Sequence, residues 1–138
     1  MILMDTGPIV ALFDRDDQYH SICVEVLKEI RDSLVTTWPV LTECFYLLNF
    51  SWQVQDDLWT FLERGGAEIY ALERENRMRC RELMKQYQDL AMDLADASLV
   101  ALGEDTGISK IFTLDQKDFS IYRLKNRKRF RLLPSPED

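Results

Sequence analysis

Short apolar runs alternate with longer segments of helical periodicity along the whole chain, and this alternation constrains the fold more than any other feature. The runs predict β-strands at residues 2–4, 34–37, 67–72, 108–114 and 130–133. The segments between them predict helices at residues 6–13, 20–32, 40–50, 54–64, 73–88 and 93–104. Strands that alternate with helices form parallel sheets, because a parallel connection needs a crossover that is usually a helix. We therefore expect an α/β protein with a single domain over residues 1–133 and a frayed tail at residues 134–138.

The residue composition excludes several classes of function. A single histidine, His20, cannot supply the paired ligands of a histidine zinc site. The three cysteines, Cys23, Cys44 and Cys80, form no CxxC motif, which is typical of reduced residues in a cytoplasmic protein. The net charge of −7 argues against a general nucleic-acid coat protein, and no apolar run reaches the roughly 18 residues of a membrane helix. We therefore expect a cytoplasmic protein without a membrane segment.

Four carboxylates occupy positions that are unusual for acidic residues. Asp5 and Asp115 directly follow predicted strands, at the sheet edge where parallel α/β proteins bind ligands. Asp96 shares the apolar face of its predicted helix, and Glu43 lies on a helix that is apolar almost all round. A buried, unpaired carboxylate costs several kcal/mol, and four acids in one place would repel one another. Because all the ligands are oxygens, the pattern indicates a site for Mg²⁺ or Mn²⁺.

Each of these acids also has an ordinary structural explanation. Asp93 could cap its helix, with Asp96 three residues later completing a capping box. Asp115 followed by Asp118 could form a turn, and Glu43 could pair with an arginine in the core. Together these explanations would require three separate coincidences, so the pattern as a whole favours a shared metal site.

A basic segment near the C-terminus contrasts with the acidic balance of the chain. It could bind a phosphate backbone, or it could be a solvated hairpin edge that is protected by charge. Its six basic residues are Arg123, Lys125, Arg127, Lys128, Arg129 and Arg131.

Two tryptophans, Trp52 and Trp59, lie seven residues apart on a predicted helix. They could be exposed anchors for a partner protein, but aromatic residues at helical spacing are usually part of the core. We therefore predict a core position for both.

Four segments in this order resemble PIN-domain ribonucleases and, more narrowly, the VapC toxins of bacterial VapBC toxin–antitoxin pairs. The segments are MILMDTGPIVALFDRDDQYH, the pair Thr42-Glu43, MDLADASLVALGEDTG and IFTLDQKDF, and they span essentially the whole chain. The resemblance implies a three-layer α/β/α sandwich with a central, mainly parallel sheet. It also implies RNA cleavage that depends on Mg²⁺ or Mn²⁺.

The resemblance assigns roles to the acids and to neighbouring residues. The implied catalytic residues are Asp5, Glu43, Asp96 and Asp115. Asp5, Asp96 and Asp115 would bind the metal, and Glu43 would orient the water or a second ion. The supporting residues are the hydroxyls of Thr6 and Thr113 and the additional acids Asp93 and Asp118. Separately, from the charge of the basic segment, we expect the RNA-binding residues to be Arg123, Lys125, Arg127, Lys128 and Arg129.

We therefore expect an endoribonuclease that cleaves RNA by metal-activated water and acts as the toxin of a toxin–antitoxin pair. The expected partners are the RNA substrate, a cognate antitoxin protein and a second copy of the chain in a homodimer. Two other classes remain open. One is a catalytically inactive PIN-like module that binds RNA or protein. The other is a small flavodoxin-like phosphotransfer domain, for which Lys117 is available but lies off the expected pattern.

Overall fold

The computed structural model describes residues 1–136, and in this range it contains a five-stranded sheet in which all neighbouring strands are parallel. The strands are β1 (Ile2–Met4), β2 (Leu34–Thr37), β3 (Glu68–Tyr70), β4 (Lys110–Phe112) and β5 (Arg131–Leu133). Their order across the sheet is β3-β2-β1-β4-β5. The prediction of an α/β fold with a central parallel sheet is confirmed, although β3 and β4 are shorter than the apolar runs suggested.

Helices flank this sheet and connect its strands. They are α1 (Thr6–Phe13), α2 (His20–Glu29), α3 (Trp38–Leu47), α4 (Trp52–Glu63), α5 (Arg74–Gln86), α6 (Leu94–Thr106) and α7 (Gln116–Ile121). The first six correspond to the predicted helices within a few residues. We did not predict α7, because its six residues carry too short a pattern to separate a helix from the turn expected around Asp118. None of the helices in residues 1–136 has the length and apolar character needed to span a membrane.

Strand β1 is the centre of the sheet and determines where the connections diverge. The chain moves outward from β1 to β2 and β3 on one side, and then crosses to β4 and β5 on the other. All three residues of β1 are buried, which explains why its sequence is apolar without alternation. The change of direction leaves a crevice at the carboxyl ends of β1 and β4, where ligands bind in open parallel sheets.

Helix α6 is the most deeply buried helix and carries its first turn to this crevice. Eight of its residues, from Ala95 to Gly103, are buried. Gly103 allows a close approach, because a Cβ atom there would lie 2.8 Å from the carbonyl oxygen of Ile108. Arg79 on α5 secures the outer face, since its Nε and Nη2 atoms donate to the two Glu104 oxygens at 2.8 and 3.1 Å. These contacts fix the C-terminal part of α6 against its neighbours.

The segment after α7 returns the chain from the carboxyl edge of the sheet to its amino edge. Arg123 and Arg129 form an antiparallel bridge around a 3₁₀ turn, and Arg131 then pairs with Lys110 at the beginning of β4. The basic segment therefore begins beside α7 and ends at the edge opposite Asp115. The frayed tail was predicted for residues 134–138. At its start, the Pro134 carbonyl accepts a hydrogen bond from the Gln116 side chain. Residues 137–138 lie outside the described range, so the prediction is untested there.

The prediction of a core position is wrong for Trp52, whose side chain is 68% exposed. Trp59 is also more than one-third exposed, although its ring contacts Phe45 with a centroid distance of 4.5 Å. Helical spacing indicates that two residues share a face, but it does not say whether that face meets the sheet or the solvent.

Candidate active site

Asp5 lies at the carboxyl end of β1, and its carboxylate is held on both oxygens. One oxygen accepts a hydrogen bond from the Thr6 amide at 2.8 Å, which caps α1, and the other accepts one from the Thr113 hydroxyl at 2.7 Å. The Thr113 oxygen also accepts a hydrogen bond from the Asp115 amide at 3.0 Å. Thr113 therefore connects the acid after β1 with the acid after β4.

The electrostatic surroundings of Asp5 disfavour its charged form. Burial raises the pKa of Asp5 to about 6, even though the hydrogen bonds from Thr113 and Thr6 lower it. The charges of Asp115 and Asp93 raise the pKa further. This carboxylate is therefore kept in place by donors, but no positive side chain among residues 1–136 compensates its charge.

Asp96 lies in the first turn of α6 and is half-buried. Burial, followed by the charges of Asp5 and Asp93, raises the pKa of Asp96 to about 8. The hydroxyl of Tyr122 donates to Oδ2 of Asp96 at 3.2 Å. Burial and the nearby Asp96 charge raise the pKa of Tyr122 as well, so this hydroxyl keeps its proton and acts as the donor.

Asp93 and Asp115 complete the acidic cluster around this pair. The Asp93 side chain accepts a hydrogen bond from the Asp96 amide at 2.8 Å, so the expected capping role of Asp93 is confirmed. Its charge also raises the pKa values of Asp5, Asp96 and Asp115. Asp115 as a whole residue is exposed, but its carboxyl group is partly buried. This burial, and after it the charge of Asp118, raises the pKa of Asp115. Asp93 therefore both caps α6 and contributes its charge to the acidic site.

Glu43 approaches the cluster from α3. It lines a groove of about 640 Å³ together with Asp93, and the exposed rings of Trp38 and Tyr46 also line this groove. The alternative of an arginine partner is not supported, since Glu43 forms no salt bridge with any residue of the described range. Glu43 therefore faces the groove between α3 and the beginning of α6, which it shares with Asp93.

The hydroxyl of Thr6, the residue that follows Asp5, is an unsatisfied polar group. It is a buried side-chain oxygen for which residues 1–136 offer no hydrogen-bond partner. Such a group costs about 1–3 kcal/mol when it stays unsatisfied, and it usually indicates a water molecule or an ion. Because Thr6 directly follows Asp5, this oxygen fits a cation bound beside the carboxylate.

The acids do not form a complete protein cage for a metal. In the described part of the chain, no three His, Cys, Asp or Glu side chains are arranged closely enough to hold an ion by themselves. Mg²⁺ typically binds to one or two carboxylates and completes its octahedral shell with water and substrate phosphate. An open acidic site of this kind is therefore suited to a cation that is shared with a phosphodiester substrate.

Comparison with known proteins assigns the chain to a family. Residues 2–125 match the model of the PIN domain. The chain belongs to the PIN-domain family. This PIN-domain chain is 30% identical to Ribonuclease VapC26 of Mycobacterium tuberculosis over 138 residues, which cover 96% of this chain and 100% of the relative. The predicted resemblance is confirmed, and a flavodoxin-like phosphotransfer domain is excluded.

Several solved structures share the fold of this chain. The M. tuberculosis toxin VapC20, which cleaves the sarcin–ricin loop, has a TM-score of 0.75 and 19% identity over 86% of this chain and 94% of that chain. VapBC2 from Rickettsia felis bound to a promoter DNA fragment has a TM-score of 0.66 and 20% identity, with coverages of 96% and 98%. A toxin–antitoxin complex from Klebsiella pneumoniae has a TM-score of 0.64 and 17% identity, with coverages of 87% and 91%. The PIN-domain fold thus extends over most of the chain.

Two polar contacts of this PIN-domain site were not predicted from the sequence. Tyr122 reaches Asp96 from a position 26 residues further along the chain. Ser98 is buried beside Thr37 at the end of β2, with a distance of 2.6 Å between their hydroxyl oxygens. Neither contact follows a local motif, so no pattern in the sequence could have indicated them.

Proposed function

We propose that this PIN-domain protein is a divalent-metal-dependent endoribonuclease and the toxin of a toxin–antitoxin pair. The observation that carries the proposal is the buried acidic cluster at the crevice between β1 and β4, where mutual repulsion and burial raise the pKa values of Asp5 and Asp96. A cluster of this kind is fully ionised at neutral pH only when a cation compensates its charge. The 30% identity to Ribonuclease VapC26 over nearly the full chain supports RNA as the substrate.

The oxygen ligands favour Mg²⁺ or Mn²⁺ over zinc. Asp5, Asp96 and Asp115 would hold the cation together with water ligands, which complete a site that the acids alone do not enclose. The unsatisfied Thr6 hydroxyl next to Asp5 in the chain would hold one of these waters. A bound cation would lower the pKa of the attacking water and neutralise charge on the phosphodiester. The three free cysteines are buried in the described structure, which supports a reducing, cytoplasmic location.

The remaining residues would prepare the site for catalysis. The Thr6 amide and the Thr113 hydroxyl hold the Asp5 carboxylate in one orientation, so little reorganisation is needed when a cation binds. Glu43 would orient the water or a second ion from the α3 side, since it lines the groove next to Asp93. Asp93 and Asp118 would add negative potential that strengthens cation binding.

RNA binding would depend on the exposed basic loop, because the acidic cluster itself repels phosphate. Five of the six basic residues in this segment are exposed. Four of them, Lys125, Arg127, Lys128 and Arg129, precede β5, whereas Arg131 lies in β5 at the edge opposite Asp115. Arg123 differs from them, since its Nη1 atom donates to three carbonyl oxygens at the end of α7. We therefore assign the phosphate contacts chiefly to the four exposed residues before β5 and only secondarily to Arg123.

The partner that we propose for the groove between α3 and α6 is a segment of a cognate antitoxin. The groove combines the carboxylates of Glu43 and Asp93 with the exposed rings of Trp38 and Tyr46, which suits a basic and apolar peptide. One solved structure with this fold is a toxin–antitoxin complex. The homodimer remains a prediction, which light scattering of the purified protein will test.

An RNA cleavage assay tests the proposed activity. We expect cleavage of single-stranded RNA in Mg²⁺ or Mn²⁺, loss of cleavage in EDTA and loss in the Asp5→Asn variant. Asp89→Asn is the matched control, because Asp89 is an exposed acid in the 3₁₀ turn between α5 and α6. Unchanged cleavage by Asp5→Asn would contradict the assignment of the site. Absence of cleavage in the wild type with either ion would instead support the inactive binding module.

A further inference from the structure

Tyr122 is the largest fully buried side chain in the described structure, and aromatic contacts fix its ring. The ring of Tyr87 lies at a centroid distance of 4.9 Å and that of Phe119 at 5.0 Å, both edge-to-face. The backbone is fixed as well, because the Tyr122 amide donates to the Asp118 carbonyl at the end of α7. The position of the hydroxyl is therefore determined by the core and not by the solvent.

The one side-chain acceptor that this hydroxyl reaches among residues 1–136 is the Asp96 carboxylate. A phenylalanine would fill the same space between Tyr87 and Phe119 without introducing a polar group into the core. The hydroxyl is thus not needed for packing. What it contributes is a hydrogen bond to Asp96. Without such a bond, the χ2 angle of an aspartate has a broad, roughly two-fold distribution.

Arg123 stabilises the end of the helix from which Tyr122 projects. Its Nη1 atom donates to the carbonyls of Ser120, Ile121 and Tyr122 at 2.6, 2.7 and 3.0 Å. Its backbone amide donates to the Tyr87 hydroxyl at 3.0 Å. The hydroxyl groups of the two tyrosines therefore have different partners. The Tyr122 hydroxyl donates to Asp96 in the acidic site, and the Tyr87 hydroxyl accepts a hydrogen bond from the Arg123 backbone amide.

We propose that Tyr122 is a positioning residue that holds the Asp96 carboxylate in its cation-binding orientation. With Oδ2 engaged by the hydroxyl, Oδ1 is the oxygen for which the described residues provide no donor, and it would be the one that binds the cation. Partners that orient metal ligands in this way typically change metal affinity by about 10- to 100-fold when they are removed. This inference rests on the proposed metal site.

The experiment compares Tyr122→Phe with Tyr87→Phe by titrating Mn²⁺ into each protein without RNA and following free Mn²⁺ by electron paramagnetic resonance. Each variant loses one hydroxyl and one hydrogen bond from the same cluster, so a purely structural effect would be similar in both. We expect Tyr122→Phe to weaken Mn²⁺ binding by about 10- to 100-fold. We expect Tyr87→Phe to stay within about twofold of the wild type, since its hydroxyl does not touch an acid.

A second readout is the rise in melting temperature on adding Mn²⁺, measured from each variant's own metal-free value. It remains interpretable if Tyr122→Phe is less stable, and we expect a smaller rise only for that variant. The RNA KM at saturating Mn²⁺ should stay unchanged. Wild-type Mn²⁺ affinity in Tyr122→Phe, or equal weakening in both variants, overturns the positioning role.

Asp96→Asn separates this inference from the proposed site. Loss of Mn²⁺ binding in Asp96→Asn together with normal binding in Tyr122→Phe would leave the metal site intact and remove only the role of Tyr122. Normal binding in Asp96→Asn would contradict the metal site itself, and the inference with it.

Discussion

Replacing Asp96 by asparagine should stabilise the metal-free protein at alkaline pH while abolishing RNA cleavage. The pKa of Asp96 is raised to about 8 in the folded protein, against 3.8 for the unperturbed group. Between these values the folded state binds more protons than the unfolded state, so the free energy of unfolding falls as pH rises. The asparagine side chain keeps the shape and the acceptor for Tyr122, but it does not titrate. The penalty at high pH is therefore absent from the variant.

The magnitude follows from the shift and from the exposure of the side chain. One full proton changes the free energy of unfolding by about 1.4 kcal/mol per pH unit, so the interval from pH 5 to pH 8 spans at most about 4 kcal/mol. Asp96 is only half-buried, and solvent screening reduces this value to about 1–2 kcal/mol. The pKa of Asp5 is raised to about 6, so ionisation of Asp5 also lowers the free energy of unfolding between about pH 5 and pH 6. This contribution is present in both the wild type and Asp96→Asn.

Urea unfolding in EDTA at several pH values from about 5 to about 9 measures this difference. We expect the advantage of Asp96→Asn over the wild type to increase with pH and to level off above about pH 8. Asp89→Asn serves as the control for loss of an acid elsewhere and should run parallel to the wild type. Parallel curves for Asp96→Asn and the wild type, or a variant that is less stable at pH 8, would refute the argument from repulsion.

Three further predictions concern the metal, the RNA and the core. Millimolar Mg²⁺ or Mn²⁺ should raise the melting temperature of the wild type in proportion to the logarithm of the ion concentration, whereas the melting temperature of Asp5→Asn should change little. A wild-type melting temperature that does not change with ion concentration would count against a metal site. Neutralising Arg127, Lys128 and Arg129 together in the inactive Asp5→Asn background should weaken RNA binding for all sequences and reduce the salt dependence of the affinity, as measured by filter binding. If the affinity keeps the salt dependence of the Asp5→Asn parent, these residues are ordinary surface. Gly103→Ala should lower stability by about 1–3 kcal/mol, as measured by urea unfolding, because its Cβ would lie 2.8 Å from the Ile108 carbonyl oxygen; an unchanged midpoint would mean that the backbone adjusts freely.

The sequence by itself determined the fold class and the location of the acids. An apolar run of strand length followed by an acid, as at residues 2–5, contains both the buried strand and its end at the ligand-binding edge. The cap of α1 is equally local, because Asp5, Thr6 and Pro8 are neighbours in the chain. These features could be predicted because their causes lie within a few residues of one another.

The tertiary structure alone decided how these acids are held and what surrounds them. The contact between Tyr122 and Asp96 joins residues 26 positions apart, and the hydrogen bond from Thr113 to Asp5 joins residues 108 positions apart. The path of the basic loop to the opposite edge of the sheet depends on the pairing of β5 with β4, and the exposure of Trp52 depends on which face of α4 meets the core. Such contacts are set by the packing of whole elements against one another, and local periodicity carries no information about the partner that each face will meet.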